Sequence, residues 1–325
     1  MLRFSTETTR TLAAVVLLAF HGLAGAQAYP ARPIRLIVPT APGNTTSNVA
    51  HLIGQKLTDS WGQQVIVDNR PGGNLVIGTD IVAKAIPDGY TLLLVTTTHV
   101  ISATLLRNLP YDSIRDFAPV AGISVSEMIL VLNPALQAGN LQEFIVLAKA
   151  KPGQLNYATT GSGSVTHLAG EWFSSLTGVK MQHIPYQGAA RGMTDLIGGQ
   201  VQLSFIVVFN TLPYIKAGRL KPVAVTGKAR VPALPQVPTF TEAGLSGLNI
   251  NTWFGMTAPR GTPRDVITKL SGEIARIQAL PETREMLGSQ GMEVFSCNAD
   301  QFAAFMSSEV RKFGKIIKTA DIKVE

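Results

Sequence analysis

One cysteine stands among 325 residues, and charged side chains make up only 15% of them. A single thiol closes no internal disulfide, so a disulfide-stapled scaffold is excluded. Scarce charge beside an apolar fraction of 46% excludes a disordered chain and a charge-laced coiled coil alike. The 30 glycines and 19 prolines follow no fixed period, which removes collagen-like repeats. Long apolar runs are lacking beyond the first twenty residues, so a polytopic membrane protein is a poor reading too.

Signatures of chemistry are missing as well. His51, His99, His167 and His183 fall in no metal-ligand spacing, so no metal or other cofactor is expected. No glycine stands at the P-loop distance before a Gly-Lys-Ser/Thr. Gly161-Ser162-Gly163-Ser164 lacks the third glycine of a dinucleotide fingerprint, because Thr166 occupies that place. Nor is Ser162 central in a G-x-S-x-G nucleophile elbow. Ser162 with His167 or His183 leaves a secreted serine hydrolase open as an alternative on composition alone. The formal net charge of +7 comes from scattered Lys and Arg, and no nucleic-acid partner is expected.

What is present begins with a leader. Arg3 and Arg10 face one Glu7, residues 11–20 are almost wholly apolar, and small residues lead to Ala26-Gln27-Ala28. This predicts a secretory signal peptide over residues 1–28 and an exported chain starting at Tyr29. From Ile34 onward, β-branched apolar runs alternate with helical patterns. Strands are predicted at 34–38, 64–67 and 91–97, with helical spacing at Val49, Leu52, Ile53 and Leu57 and again over 75–86. The plan repeats with a helix at 141–150, a strand at 155–159 and a helix at 165–176. Further strands follow at 181–186, 201–208 and 222–226. Such alternation implies a parallel sheet with right-handed crossovers. Thr262-Pro263-Arg264-Asp265 reads as a helix start with Thr262 as cap, and a last helix carries Phe302, Met306 and Phe313 on one face. Segments 127–133 and 249–258 look extended and are candidate crossovers between two lobes. Cys297, with no catalytic motif around it, is expected to be an inert, partly buried thiol.

Two loops stand out for chemistry. Pro39-Thr40-Ala41-Pro42-Gly43-Asn44-Thr45-Thr46-Ser47 and Thr159-Thr160-Gly161-Ser162-Gly163-Ser164 each follow a strand and open a helix. A helix start exposes unpaired N–H groups and about half a positive charge. Small residues let an anion approach that backbone, and hydroxyls add donors. One such loop is indistinguishable from an ordinary N-cap. Two of them in a two-lobed exported protein describe an anion clamp that needs no charged side chain.

These loops belong to an ordered series of motifs: Asp68-Asn69-Arg70-Pro71-Gly72-Gly73, Pro87-Asp88-Gly89-Tyr90, Leu109-Pro110-Tyr111-Asp112, Lys151-Pro152-Gly153, His167-Leu168-Ala169-Gly170-Glu171, Pro185-Tyr186-Gln187-Gly188 and Trp253-Phe254-Gly255. The whole exported chain resembles the Bug family of periplasmic solute-binding proteins, receptors of tripartite tricarboxylate transporters. The resemblance implies an α/β, two-lobed periplasmic-binding-protein fold of type II-like architecture, with two crossover strands and a central ligand cleft. The expected division is 29–127 plus 252–325 for one lobe and 128–251 for the other. It also implies no enzymatic activity, a periplasmic location, a monomer, a small carboxylate as ligand and membrane permease subunits as partners. A periplasmic sensor feeding a two-component system uses the same fold and stays open as an alternative.

Carried over residue by residue, the ligand site comprises Thr40, Gly43, Asn44, Thr45, Thr46 and Ser47 of the first loop and Ser162, Gly163 and Ser164 of the second. Tyr186 and Ile206 border it, as does His167, for which packing under the second loop stays open as the alternative. Four departures bear on specificity. Thr40 stands where the family commonly has Phe, Asn44 where it has a second Gly, and Ser47 where it has Asp. Ile206 follows Phe205 where the family often has Asp. Two potential carboxylates are thus neutral here, which favours a ligand without an amine and with an apolar body.

Overall fold

The computed structural model describes residues 29–106 and 108–322; the leader read over residues 1–28 lies outside the described residues. Among the described residues no helix is long and apolar enough to cross a membrane. The chain opens with β1 (Ile34–Val38), α1 (Thr45–Trp61), β2 (Val65–Asn69), α2 (Val76–Ala83), β3 (Thr91–Thr96) and α3 (Thr97–Leu105). β1 lies between β2 and β3 and runs parallel to both, with Leu36 opposite Val67 and Leu92. β1 and β3 are buried nearly throughout, which is why they read as continuous apolar runs rather than alternating ones.

β4 (Phe117–Leu132) is the longest strand, and α4 (Leu141–Ala150) leads from it into a second set of strand–helix units. These are β5 (Asn156–Thr159), α5 (Val165–Thr177), β6 (Gln182–Pro185), α6 (Ala189–Gly198), β7 (Leu203–Val207) and α7 (Val208–Lys216). β5 runs parallel to β6 and β7. β8 (Lys221–Val225) and β9 (Asn251–Pro259) follow, then α8 (Arg264–Ala279), α9 (Pro281–Ser289), β10 (Met292–Cys297) and α10 (Ala299–Thr319).

The strand order is β2-β1-β3-β9-β4-β7-β5-β6, with β8 and β10 also on β4. β4 changes partner along its length. Phe117 to Glu127 pair antiparallel with β9, whereas Met128 to Leu132 pair with β7 and β8. The change falls at Glu127–Met128, inside the segment read as a crossover, and β9 occupies the other such segment. Each half carries three βα units on its own parallel strands, giving the two-lobed binding-protein fold expected from sequence.

Two local expectations are corrected, at residue 97 and at Thr262, and one strand segment was not anticipated. Residues 97–105 form a helix, although Thr97 and Thr98 continue the β-branched run of β3. Residues 117–126 form strand despite Pro119 and Gly122, because the register shifts between Pro119 and Ala121 and between Gly122 and Ser124. Pro263, not Thr262, holds the cap position of α8, and the Thr262 hydroxyl donates to Pro259 O at 2.8 Å. Trp253 of β9 is buried against Phe302 and Phe305 of α10, and its indole N–H donates to Glu309 Oε2 at 3.0 Å. This contact ties the last helix to a crossover strand. Cys297 is free and partly buried beside Gly122, and burial pushes its thiol up, away from reactivity.

Candidate functional site

Parallel strands joined by short connections deliver the start of each following helix to the same edge of the sheet. Six connections do so here, and all six open on one cleft of about 770 Å3. α1 contributes Asn44, Thr45 and Thr46; α2 is preceded by Asn74 and Leu75; α3 brings Thr96 and Thr98. From the other half come Ser164, Val165 and Thr166 of α5, Gly188 and Ala189 of α6, and Val207 and Asn210 of α7. β9 adds Thr252 and Phe254. None of the lining residues is Asp, Glu, Lys, Arg or His.

The first loop is braced by amides. Asn44 caps α1, its Oδ1 accepting from Ser47 N–H at 2.9 Å and from the Thr40 hydroxyl at 3.1 Å. Asn69, at the end of β2, donates from Nδ2 to Thr40 O at 2.9 Å and to Ser47 Oγ at 3.2 Å. The side-chain cap takes the Ser47 N–H and leaves those of Thr45 and Thr46, in the first turn, without intrahelical acceptors. The Thr45 hydroxyl reaches across the cleft to Asn210 Oδ1 at 3.4 Å.

The second loop is braced by hydroxyls and an imidazole. Ser164 caps α5 by accepting from His167 N–H at 3.3 Å, and donates from Oγ to Gly161 O at 2.6 Å. Thr160 N–H donates to Thr166 Oγ1 at 2.9 Å. Beneath the loop, Gly163 N–H donates to His167 Nδ1 at 3.2 Å, which places the imidazole proton on Nε2, 3.9 Å from Glu171 Oε1. His167 stacks on His183 at 4.0 Å between ring centroids, and His183 Nε2 bonds Thr159 Oγ1 at 2.7 Å. Tyr157 donates to Glu171 Oε1 in the same cluster. Burial holds both imidazoles down to about 4, with His183 lowered further by its neighbour His167 and Glu171 opposing; both are neutral at pH 7.

Eight of the residues expected at the site line the cleft: Thr40, Asn44, Thr45, Thr46, Ser162, Ser164, Tyr186 and Ile206. Four do not. Gly43 is exposed at the outside of its turn, where φ is +79° and a Cβ would meet nothing within 4 Å. Ser47 is completely buried between Asn44 and Asn69, so a neutral residue there does not alter the lining. Gly163 is buried, its N–H turned to His167, and His167 lies under the loop as its support. Tyr186 lines the cleft while its hydroxyl donates to Asp195 Oδ2 at 2.7 Å, and burial together with that carboxylate pushes the phenol up to about 12.

The hydrolase alternative loses its geometry. His167 Nδ1 is taken by Gly163 N–H, and His183 Nε2 by Thr159 Oγ1, so neither imidazole is placed to activate Ser162.

Sequence reading missed the loops before α2, α3 and α7, and had the loop before α6 only through Tyr186. Pro71-Gly72-Gly73 registers as a turn, yet it follows a parallel strand and precedes a helix as the two recognised loops do. The rule that ligands sit beyond the carboxyl ends of parallel strands would have found it. Thr252 and Phe254 were read only as part of a crossover segment and its Trp253-Phe254-Gly255 motif, not as cleft lining.

Comparison with known proteins agrees with this fold. Residues 49–322 match the Tripartite tricarboxylate transporter family receptor. Protein BugT of Bordetella pertussis is 34% identical over 323 residues, covering 98% of this chain and 99% of its own. The structure of Rpa4515 of R. palustris with adipate is 33% identical, with a TM-score of 0.87 over 91% of this chain and 99% of that one. MatC of Rhodopseudomonas palustris with bound malate is 28% identical, with a TM-score of 0.81 over 89% of this chain and 100% of that one. The chain therefore belongs to the Bug-type tripartite tricarboxylate transporter receptors, a family of periplasmic solute-binding proteins and not of enzymes.

Proposed function

We propose that this protein captures a small carboxylate lacking an amine and delivers it to the permease subunits of a tripartite transporter in the membrane. The observation that carries the reading is a cleft with six helix N-termini around it and no Asp, Glu, Lys, Arg or His in its lining. Each N-terminus presents unpaired N–H groups and a partial positive charge, which suits an anion. No carboxylate in the wall pairs with an ammonium group, so an amino acid would bury its cation without a counter-charge. Leu75, Val165, Ile206, Val207 and Phe254 supply apolar surface for a carbon skeleton. Adipate in one relative and malate in another support the carboxylate class.

In this reading residues 1–28 are a cleaved leader, the protein acts as a monomer in the periplasm, and 29–127 with 252–325 close on 128–251 around the ligand. The test is titration calorimetry, with thermal shift beside it, against dicarboxylates, tricarboxylates, aromatic acids and acidic amino acids. Binding raises the unfolding midpoint by mass action. Stabilisation by one of the amine-free acids, with no response to aspartate or glutamate, is expected. Preferential binding of an amino acid would overturn it.

A further inference from the structure

Lys and Arg are scattered along the sequence, but the fold gathers them unevenly. Residues 128–251 hold nine Lys and Arg against four Asp and Glu, a balance of +5. The remainder of the exported chain, 29–127 with 252–325, holds 17 against 16, a balance of +1. Nearly the whole excess of charge sits on one half.

Topology then concentrates it on one edge of that half. Lys149 and Lys151 precede β5, Lys180 precedes β6, and Lys216, Arg219 and Lys221 lead into or open β8. The starts of these strands lie in a row: Lys221 and Leu203 both stand opposite Leu132, Tyr157 opposite Leu203, and Asn156 opposite Gln182. Gly153 N–H donates to Lys180 O at 2.9 Å, which sets the segment after α4 beside Lys180. The cleft lies at the other ends of β5, β6 and β7, where Thr160, Tyr186 and Val207 line it. Five strands about 4.8 Å apart make the charged edge about 20 Å wide.

These cations have no counter-charge. Among the described residues, the one Lys or Arg of this half in an ion pair is Arg230, with Glu242. Lys221 Nζ donates to Leu136 O at 2.9 Å and to Ala138 O at 3.0 Å, and the other five of the edge are exposed. The acids of this half are engaged elsewhere: Glu143 accepts from Gly139 N–H, Glu171 from Tyr157 and Asp195 from Tyr186. The other half treats its cations differently, pairing Arg32 with Asp88, Arg35 and Arg70 with Asp68, and Lys84 with Asp80. Complementing a helix C-terminus accounts for Lys149 and Lys216, which lie in last turns. Lys180, Arg219 and Lys221 stand past the helix ends, where that attraction has fallen off.

We propose that this edge is a docking surface for an anionic phospholipid bilayer, holding the exported receptor at a membrane face with its cleft uncovered. A lipid surface reads charge without shape, and charge without shape is what the edge offers. Of the exposed large hydrophobic residues described, only Val146 belongs to this half, so the edge has no exposed aromatic anchor of the kind that carries a protein interface. Each Lys or Arg near an anionic leaflet strengthens attraction about fivefold, so six on one edge suffice for reversible binding. The proposal requires export but no particular ligand.

The test is co-sedimentation of the full exported chain with vesicles of phosphatidylglycerol and phosphatidylcholine in equal parts, against phosphatidylcholine alone. At about 0.1 M salt the anionic vesicles should retain at least about tenfold more protein than the neutral ones. Raising the salt to about 1 M, where the screening length falls from about 10 Å to about 3 Å, should abolish the difference. Lys149→Gln, Lys151→Gln and Lys180→Gln together should bring retention down to the neutral-vesicle level, at about fivefold per charge. Lys216→Gln with Arg219→Gln should do so independently. The same change of charge on exposed residues of the other half, Arg264→Gln, Arg311→Gln and Lys315→Gln, should leave retention within about twofold. All these side chains are exposed and outside the cleft lining, so unfolding midpoints and acid binding should stay at wild-type values. Equal losses from the two triple variants would overturn the assignment of this edge. Retention that ignores lipid charge or salt, or no retention at all, would overturn the lipid surface itself while leaving the carboxylate reading intact.

Discussion

The loops before α1 and α5 present the same kind of helix start to the same cleft, yet they are held by different chemistry. Amides of Asn44 and Asn69 brace the first, and neither group titrates. The second rests on His167, stacked on His183 and facing Glu171, which accepts from Tyr157. One half of the grip is therefore indifferent to pH, while the other stands on two imidazoles kept neutral by burial. Equivalent geometry does not guarantee equivalent response to conditions.

The largest effect expected from this asymmetry is in acid. The folded values of His167 and His183 lie near 4, below the unfolded value near 6.5. The unfolded chain therefore binds more protons in between. Stability is full above about pH 6.5 and is lost as pH falls toward 4, by on the order of 3 kcal/mol for a buried imidazole such as His167. His99, buried against Ser113 O and likewise lowered to about 4 by burial, adds the same trend independently of the loops. The comparison is thus between wild type and His167→Gln, whose urea midpoint should fall less steeply from pH 7 to pH 4.5. Parallel slopes would remove the asymmetry.

A steric change on the amide-braced side comes next. A Cβ on Gly78 would stand 2.8 Å from both Arg70 O and Pro39 Cα, backbone atoms that have nowhere to go. Gly78→Ala should cost about 1–3 kcal/mol and weaken ligand binding, since Pro39 begins the first loop. Unchanged stability by denaturant unfolding would mean that α2 is not what backs this loop. Smaller again are the caps themselves. Asn44→Ala and Ser164→Ala should each cost about 1 kcal/mol, the first equally at pH 7 and pH 5. A pH-dependent loss for Asn44→Ala would break the distinction drawn above. The smallest effect belongs to Thr45→Val, which deletes the 3.4 Å bond to Asn210 across the cleft. About 0.5 kcal/mol or less is at stake, visible as a slightly larger mean radius of gyration in solution scattering of the unliganded protein. An identical scattering curve would show that the bond does not hold the halves together.

Much of the fold was legible because strands buried on both faces declare themselves as apolar runs, as Ile34–Val38 and Leu203–Val207 do. What escaped was set by tertiary context. Pro119 and Gly122 look like loop residues, and they lie in strand because register shifts absorb them and because Gly122 leaves room for Phe295 and Cys297. At the site, the two loops were readable from their Gly, Ser and Thr content. Which of their residues face the cleft was not. Ser47 and Gly163 sit one position away from lining residues, and the helical turn, not composition, decides which side chain or N–H points outward. His167 shows the same limit: its position in the first turn was evident, its role beneath the loop was not.

The six helix starts around the cleft have one more consequence. Three belong to the strand–helix units of one half and three to those of the other. An arginine would keep its whole charge with one lobe when the lobes part, and would carry the anion with it. Partial charges shared between two walls add only while the walls face each other, and they fall off within a turn of each helix. In the reading proposed above, separation of the halves would dismantle the attraction that closure assembled. Such a receptor lets go of its cargo by opening, with no proton to move and no counter-charge to supply.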